Sequence, residues 1–329
     1  MSKIAIDVMS GDYAPNEIIK GCLEASYETE ATLVLVGDEE MINKELAQAN
    51  YARERIEIVD AKECITMEDS PVMAIRTKKQ SSMVVGLTLL KNKEVDGFIS
   101  AGNTGALLAG ATLLVGRIKG VERPALAPLI PTEKGYSLLI DCGANMDAKP
   151  SYLQQFARMG TVYMEECLGV KSPKVGLINV GTEEEKGNTL TKEAFALLKE
   201  DEKVNFIGNV EAREIPSGNA DVLVCDAFVG NVVLKFMEGF GLYIFSLLKT
   251  EFKRSLKTKL AALLMKTGII NIKNKFDYSD KGGAPLLGIK GLVVKTHGNS
   301  KQKEIYSTIM QTDAFIKNDL IGKIASKFE

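Results

Sequence analysis

Phe98-Ile99-Ser100-Ala101-Gly102-Asn103-Thr104-Gly105-Ala106 is where an apolar run stops, two glycines bracket Asn103-Thr104, and a small-residue helical pattern begins. The order reads as strand, tight loop and helix N-terminus. Glycine lets the backbone turn and approach a ligand closely, and the first-turn N–H groups of a helix lack intrahelical partners. Such a loop is either an anion seat or a plain βα turn that binds nothing. Similar strand ends recur along the chain, and that recurrence favours the seat.

Ile4 to Val8 reads as a short strand running into Asp7-Val8-Met9-Ser10-Gly11-Asp12-Tyr13-Ala14-Pro15, with a helix from Asn16 and Pro15 suited to its first turn. Asp7, Gly11 and Asp12 then lie at a strand's carboxyl end, where open α/β sheets place ligands. Asp12 is equally readable as a loop-forming or capping carboxylate. Further strands are predicted at Thr32 to Gly37, Ile56 to Val59, Ser137 to Ile140, Lys174 to Val180, Val204 to Ile207, Asp221 to Cys225 and Gly291 to Lys295. Helical periods fall at Glu39 to Ala49, Ser70 to Lys91, Leu190 to Lys199 and after Ser300 to about Lys317. Short apolar strands alternating with helices predict a three-layer α/β/α fold with a mostly parallel sheet. The prolines of Arg123 to Pro131 exclude helix there.

Several of these strands end in polar, small-residue stretches. Asp141-Cys142-Gly143-Ala144-Asn145 follows one. Asp226-Ala227-Phe228-Val229-Gly230-Asn231 opens a helix that carries Lys235 a little over one turn in. That lysine either reaches back to an anion at the helix start or is a surface group. Gly282-Gly283 precedes an apolar edge, and the last strand ends in Thr296-His297-Gly298-Asn299-Ser300, which holds the single histidine. Any imidazole chemistry belongs at His297, which is otherwise structural. The acidic run Glu183-Glu184-Glu185 reads as a solvated helix approach or, more weakly, as a metal site. Arg76, Lys78 and Lys79 read as a solvated face or the path of an acidic partner.

Composition sets outer bounds. The 329 residues, 45% hydrophobic and 26% charged, suffice for one large core or two moderate ones. A formal net charge of −2 gives no global reason to expect nucleic-acid binding. Cys22, Cys64, Cys142, Cys167 and Cys225 are odd in number and scattered, which predicts free thiols in a reducing cytoplasm. Met1-Ser2-Lys3 runs straight into the first strand, leaving no room for a signal peptide. The uncharged stretch from Asp96 to Arg117 is too rich in Gly, Ser, Asn and Thr to read as a transmembrane helix.

Beyond Gly241 the pattern changes. Phe245, Leu248, Phe252, Leu256, Leu260 and Leu263 are spaced by 3, 4, 4, 4 and 3 residues, the period of a helix with one apolar stripe. From Lys249 to Lys266 the segment carries a net charge of +5. Phe252, Lys253, Arg254, Leu256, Lys257, Leu260, Leu263 and Leu264 are therefore candidate contacts for an anionic membrane, an acidic protein or a neighbouring subunit. Residues 238–275 form this amphipathic insertion within a single domain of residues 1–329.

Taken together, Asp7-Val8-Met9-x-Gly11-Asp12, Ser100-Ala101-Gly102-Asn103-Thr104-Gly105-Ala106, Asp141-Cys142-Gly143-Ala144-Asn145, Phe228-Val229-Gly230-Asn231-Val232-Val233-Leu234-Lys235, Gly282-Gly283-x-Pro285-Leu286-Leu287-Gly288 and His297-Gly298-x-Ser300 resemble the bacterial phosphate acyltransferases of phospholipid synthesis. The resemblance runs from about residue 3 to about residue 318. Ser10 stands where a second glycine is usual, and Glu211-Ala212-Arg213-Glu214 lacks the family's glycine after the glutamate. The resemblance implies transfer of a long-chain acyl group from acyl carrier protein to inorganic phosphate, giving acyl phosphate for phosphatidic acid synthesis. It also implies a fold similar to isocitrate and isopropylmalate dehydrogenases and phosphotransacetylase, a homodimer, no cofactor and no metal. A peripheral place on the inner face of the membrane follows from it as well, with a downstream glycerol-phosphate acyltransferase as consumer of the product.

On that resemblance the catalytic candidates are Asn231, Lys235 and His297. The substrate-binding candidates are Asp7, Gly11, Asp12, Ser100, Gly102, Asn103, Thr104, Gly105, Asn145, Asp226, Gly230, Gly282, Gly283 and Ser300. Competing readings are transfer from coenzyme A, a decarboxylating dehydrogenase of the same fold, and a non-catalytic membrane scaffold. No G-x-G-x-x-G follows the first strand, which argues against a Rossmann-type dinucleotide site.

Overall fold

Runs such as Ile4-Ala5-Ile6 and Leu33-Val34-Leu35-Val36 have no polar face to give to water, so their strands are covered on both sides. The computed structural model describes residues 1–276 and 282–328, with the backbone course alone for 273–276; the last side chains of the 238–275 insertion lie outside the described ones. In chain order the strands are β1 (Lys3–Asp7), β2 (Thr32–Gly37), β3 (Ile56–Asp60), β4 (Gly97–Ser100), β5 (Ala125–Leu126), β6 (Leu129–Thr132), β7 (Gly135–Ile140), β8 (Lys174–Asn179), β9 (Asn205–Glu211), β10 (Val222–Val224), β11 (Ala284–Leu287) and β12 (Leu292–Lys295).

They build two sheets where the sequence pattern suggested one. The first runs β3-β2-β1-β4-β12-β11-β5 and the second β6-β7-β10-β8-β9. Pairing is parallel except where β11 meets β12 and β5, and where β6 meets β7. Strand order reverses between β1 and β4, which makes their carboxyl ends the switch point of the first sheet.

In chain order the helices include α1 (Asn16–Ala25), α2 (Glu39–Leu46), α3 (Pro71–Thr77), α4 (Ser82–Lys91), α5 (Thr104–Gly110), α6 (Pro150–Leu168), α7 (Thr189–Lys199), α8 (Ala227–Lys253), α9 (Leu256–Leu264), α10 (Lys266–Phe276) and α11 (Gln302–Lys317). On the first sheet α1 and α11 pack together on one face and α4 lies on the other; on the second, α6 and α7 face α8. The largest core runs without a break from Ile4 and Leu33 to Leu138, Val222 and Phe156.

Two predicted helices divide. Ser70 to Lys91 splits into α3 and α4 because Ser81 takes extended backbone and its hydroxyl accepts from Val84 N–H, starting a new helix. The apolar stripe from Phe245 to Leu263 likewise spans two helices. Ser255 accepts from Thr258 N–H while Thr258 Oγ1 accepts from Ser255 N–H, a reciprocal cap that ends α8 and opens α9. Ser10 fits where the resemblance leads one to expect glycine because Gly102 faces it: a Cβ on Gly102 would lie 2.9 Å from Ser10 Cβ. The Glu211–Glu214 stretch closes as a capping box.

α8 is apolar and long enough to cross a membrane by length and composition. Its start, however, is built into the second sheet, with Ala227, Gly230 and Leu234 buried. Its outer half and α9 expose their apolar side chains, Leu256 at 84% and Leu264 at 81%.

Candidate functional site

The last residues of three adjacent parallel strands stand in register. Asp7 of β1 pairs with Ser100 of β4, which pairs in turn with Lys295 of β12. All three are buried. Ser100 Oγ donates to Asp7 Oδ2 at 2.8 Å and accepts from Gly102 N–H. Lys295 Nζ donates to the carbonyls of Ala101, at 3.2 Å, and of Thr296. Burial holds the Asp7 carboxyl above its usual range, against the pull of the Ser82, Ser10 and Ser100 hydroxyls. Burial also brings Lys295 down to about 8, with Asp7 and Asp12 opposing the shift and Lys235 adding to it.

The loops above this row interlock. Gly11 has φ +115°, and a Cβ there would meet Ala101 Cβ at 3.0 Å and Gly298 O at 3.2 Å, so only glycine serves. Asp12 N–H donates to Gly298 O at 2.7 Å. Asn103 caps α5 by accepting from Ala106 N–H and ties Thr66 O and Met67 O with its amide nitrogen. Its side chain and that of Ser100 are thus engaged in the fold, and the loop's remaining offer is its backbone, with Thr104 and Gly105 half-buried at the helix start. Ser300 is buried and bonds Thr296 through their hydroxyls at 2.7 Å.

The second sheet contributes through Asp141. Its carboxylate accepts from the N–H groups of Leu126, Cys142, Ala144 and Asn145 and from the Asn145 amide. Asn145 also donates to Pro124 O, so it braces this turn. Asp226 caps α8 by accepting from Val229 N–H. Gly230 is required by contact: a Cβ there would lie 1.9 Å from Asp141 O. Asp141 O therefore abuts the first turn of α8, one residue before Asn231.

From that start α8 carries Lys235 and Glu238 toward the first sheet. Lys235 Nζ pairs with Glu238 Oε2 at 2.8 Å, reaching forward one turn and not back to the helix start, because Glu238 is the anion within its reach. Glu238 Oε1 in turn lies 3.4 Å from His297 Nε2. This Lys235–Glu238–His297 chain joins the end of β12 to α8. Burial pulls the imidazole below its usual range, helped by Lys235 and Lys295 and opposed chiefly by Glu238, which favours the neutral ring near pH 7.

The predicted residues thus divide. Asp7, Gly11, Asp12, Ser100, Gly102, His297 and, through Glu238, Lys235 gather at the carboxyl ends of β1, β4 and β12. Gly283 backs Lys295 O, whereas Gly282 packs against Gln311. Lys78 pairs with Asp69 at 2.6 Å and Lys79 Nζ donates to Ile75 O, which ties both to the fold. Glu184 pairs with Lys199, and among the described residues no cluster of three metal-ligating side chains forms. Sequence reasoning missed Lys295 and Glu238. Val293-Val294-Lys295 closes a strand with a charge just as Ile6-Asp7 does, and that was the available signal.

The sequence profile of a family described as "Fatty acid synthesis protein" matches residues 2–323. The phosphate acyltransferase of Clostridium novyi (strain NT) is 53% identical over 328 residues, 99% of this chain and 98% of its own. That of Alkaliphilus oremlandii (strain OhILAs) is 52% identical over 323 residues, 98% of this chain and 96% of its own. Among solved structures, a phosphotransacetylase from Streptococcus pyogenes superposes with a TM-score of 0.65 at 16% identity, covering 96% of this chain and 94% of that one. A 4-hydroxythreonine-4-phosphate dehydrogenase, described as putative, from Salmonella typhimurium gives 0.55 at 12% identity, covering 95% and 99%. At such identities these two speak for the fold alone.

Proposed function

The chain belongs to the family of fatty acid synthesis proteins that matches its residues 2–323, and from that membership we propose that it transfers a long-chain acyl group from the pantetheine thiol of acyl carrier protein to inorganic phosphate. The observation that carries the reading is the make-up of these strand ends, where Lys235, Lys295 and His297 gather without an activated nucleophile. Ser100 gives its proton to Asp7. Cys64, whose thiol lies 3.2 Å from Met9 O, is held above its ordinary range by burial and by Asp7. A site that offers nitrogen donors and no activated nucleophile suits an acceptor that is its own nucleophile.

Near neutral pH inorganic phosphate is largely dianionic and needs no strong base. One phosphate oxygen attacks the thioester carbonyl carbon, the C–O bond forms, and the C–S bond breaks with its electron pair passing to sulfur. The proton of hydrogen phosphate ends on the departing thiolate. The α8 start with Gly230 and Asn231, Lys235 and the backbone of the Ser100–Gly105 loop hold the anions and the developing oxyanion. Neutral His297 orients phosphate, because a thiol with a pKa of about 8.5 leaves without an acid.

The exposed apolar side chains of α8 serve a homodimer, and those of α9, with Lys253, Arg254, Lys257 and Lys259 around them, serve an anionic membrane face on the cytoplasmic side. The whole chain acts as one domain, without cofactor or metal. The test is thiol release from palmitoyl-acyl carrier protein with and without phosphate, with acyl phosphate trapped by hydroxylamine. Phosphate-dependent release matched by hydroxamate, with sequential kinetics, is expected. Release without phosphate would point to an acyl-enzyme, and preference for palmitoyl-coenzyme A would replace the carrier protein as donor.

A further inference from the structure

Lys295 has no part in the reading made from sequence, yet it is the residue that links the two loops on which the first sheet's contribution depends. Its Nζ donates to Ala101 O, in the loop after β4, and to Thr296 O, in the loop after β12. The first loop leads to Asn103, Thr104 and Gly105, and the second carries His297. An ammonium has three donors, and two are engaged by these carbonyls. Among the described residues the third has no protein partner at hydrogen-bonding distance. Burying a cation is costly unless it is compensated, and the compensation at hand is modest: two carbonyl dipoles, the Asp7 carboxyl two strands away in register, and Asp12. A dianion bound at these strand ends would complete it.

Resting on the transfer reading above, we infer that Lys295 is a positioning residue for phosphate: its ammonium clasps the Ala101 and Thr296 loops in their anion-binding arrangement and holds phosphate with its charge and third N–H, both of which go when the proton is lost. The charged and titratable groups around it are Asp7 on β1, Asp12 in the following loop, His297 two residues on with its partner Glu238, and Lys235 on α8, with the Cys64 thiol beside Asp7. Binding and protonation are reciprocal, so whatever phosphate gains from the ammonium it returns by holding the proton on. Above pH 8 phosphate itself stays dianionic, and a change in its binding there reports the protein. The amine titrates near 8 in the unliganded site.

Inorganic phosphate is the probe, in two assays on the full chain. The first measures KM for phosphate and kcat in the thiol-release assay between pH 6.5 and 9.5; the second measures the shift in melting temperature caused by phosphate at pH 7 and pH 9. In the wild type KM, expressed as the phosphate dianion, is flat at low pH and climbs toward tenfold per pH unit above about 8, with kcat changing several-fold less. Lys295→Met has a KM raised at least tenfold that no longer depends on pH, and a melting temperature equal to or above the wild type because a buried charge has been removed. Lys295→Arg keeps its cation across the range and loses the alkaline rise. A Lys295→Met enzyme with wild-type KM and the same alkaline limb overturns the inference, as does an unchanged limb in Lys295→Arg should the methionine variant fail to fold. If the wild type releases no thiol in response to phosphate, the transfer reading falls; the clasp then stands or falls on whether the phosphate-induced melting shift disappears at pH 9 and in Lys295→Met.

Discussion

Gly230→Ala adds a single methyl group at the point where α8 meets the second sheet. The new Cβ would sit 1.9 Å from Asp141 O and 3.1 Å from its carbonyl carbon, while Cβ contacts below 3.0 Å essentially do not occur. Relief therefore needs a movement of at least about 1 Å, and the obstacle is backbone held by the hydrogen bonds around Asp141, not the end of a flexible side chain. Overpacking of this kind costs about 3 kcal/mol, which for a chain of this size lowers the melting temperature by roughly 4 °C. The same movement displaces Asn231, Lys235 and Glu238 from the loops of the first sheet, and a 1 Å misplacement is worth about 100-fold in rate. Gly239→Ala is the internal control: it lies in the same helix, exposed, with no atom within 4 Å of the added methyl. Alanine there should stabilise the helix by about 0.5–1 kcal/mol. The assays are a melting curve and phosphate-dependent thiol release. A Gly230→Ala protein that melts within a degree of the wild type at full activity would refute the close approach of Asp141 to α8.

Further outcomes follow from the same geometry. Lys235→Ala and Asn231→Ala should each lower kcat/KM by about 100-fold, against less than about tenfold for His297→Ala; the reverse order, in variants that fold, would return the imidazole to the centre of the chemistry. Asp141→Asn places an amide donor among backbone donors and should destabilise the chain by about 3 kcal/mol, measured by urea unfolding. Lys295 titrates at about 8 when folded and near 10.4 when unfolded, so between those values the unfolded chain holds more protons. Stability therefore rises with pH across that window, by at most about 1.4 kcal/mol per pH unit, and urea midpoints of the wild type relative to Lys295→Met should show the slope. Lys257→Glu with Lys259→Glu should abolish salt-sensitive binding to anionic vesicles in the absence of carrier protein; unchanged vesicle binding would assign the basic face to another partner.

What the sequence made legible follows from how parallel strands are buried. β1, β2, β4, β8 and the end of β7 are covered on both faces, so each reads as an apolar run that stops abruptly, and the polar residues after the stop mark the carboxyl end. Asp7, Ser100 and Asp141 were found that way. The pairing of those runs was not legible, because a sequence lists strands without saying which are neighbours; hence one expected sheet became two. The same gap hid Lys295. A lysine closing an apolar strand looks like a solvated terminus until register puts it in line with Ser100 and Asp7. Glu238, three residues after Lys235, looks like an ordinary surface pair, and only the fold brings His297, 59 positions later, within 3.4 Å of it.

The stripe from Phe245 to Leu263 was legible only in part. Its apolar spacing averages 3.6 and predicts one continuous stripe, but periodicity counts residues and is blind to a break that preserves the count. The Ser255-x-x-Thr258 cap was the local signal of the break. Its consequence is mechanical. Asp226, Gly230 and Leu234 anchor the start of α8 beside Asp141, while the cap at Ser255 ends α8 and starts α9 as a separate helix. Whatever the exposed leucines of α9 rest on is thereby separated from Lys235 and Glu238, and substitutions at Leu256 or Leu264 should alter attachment without altering KM for phosphate.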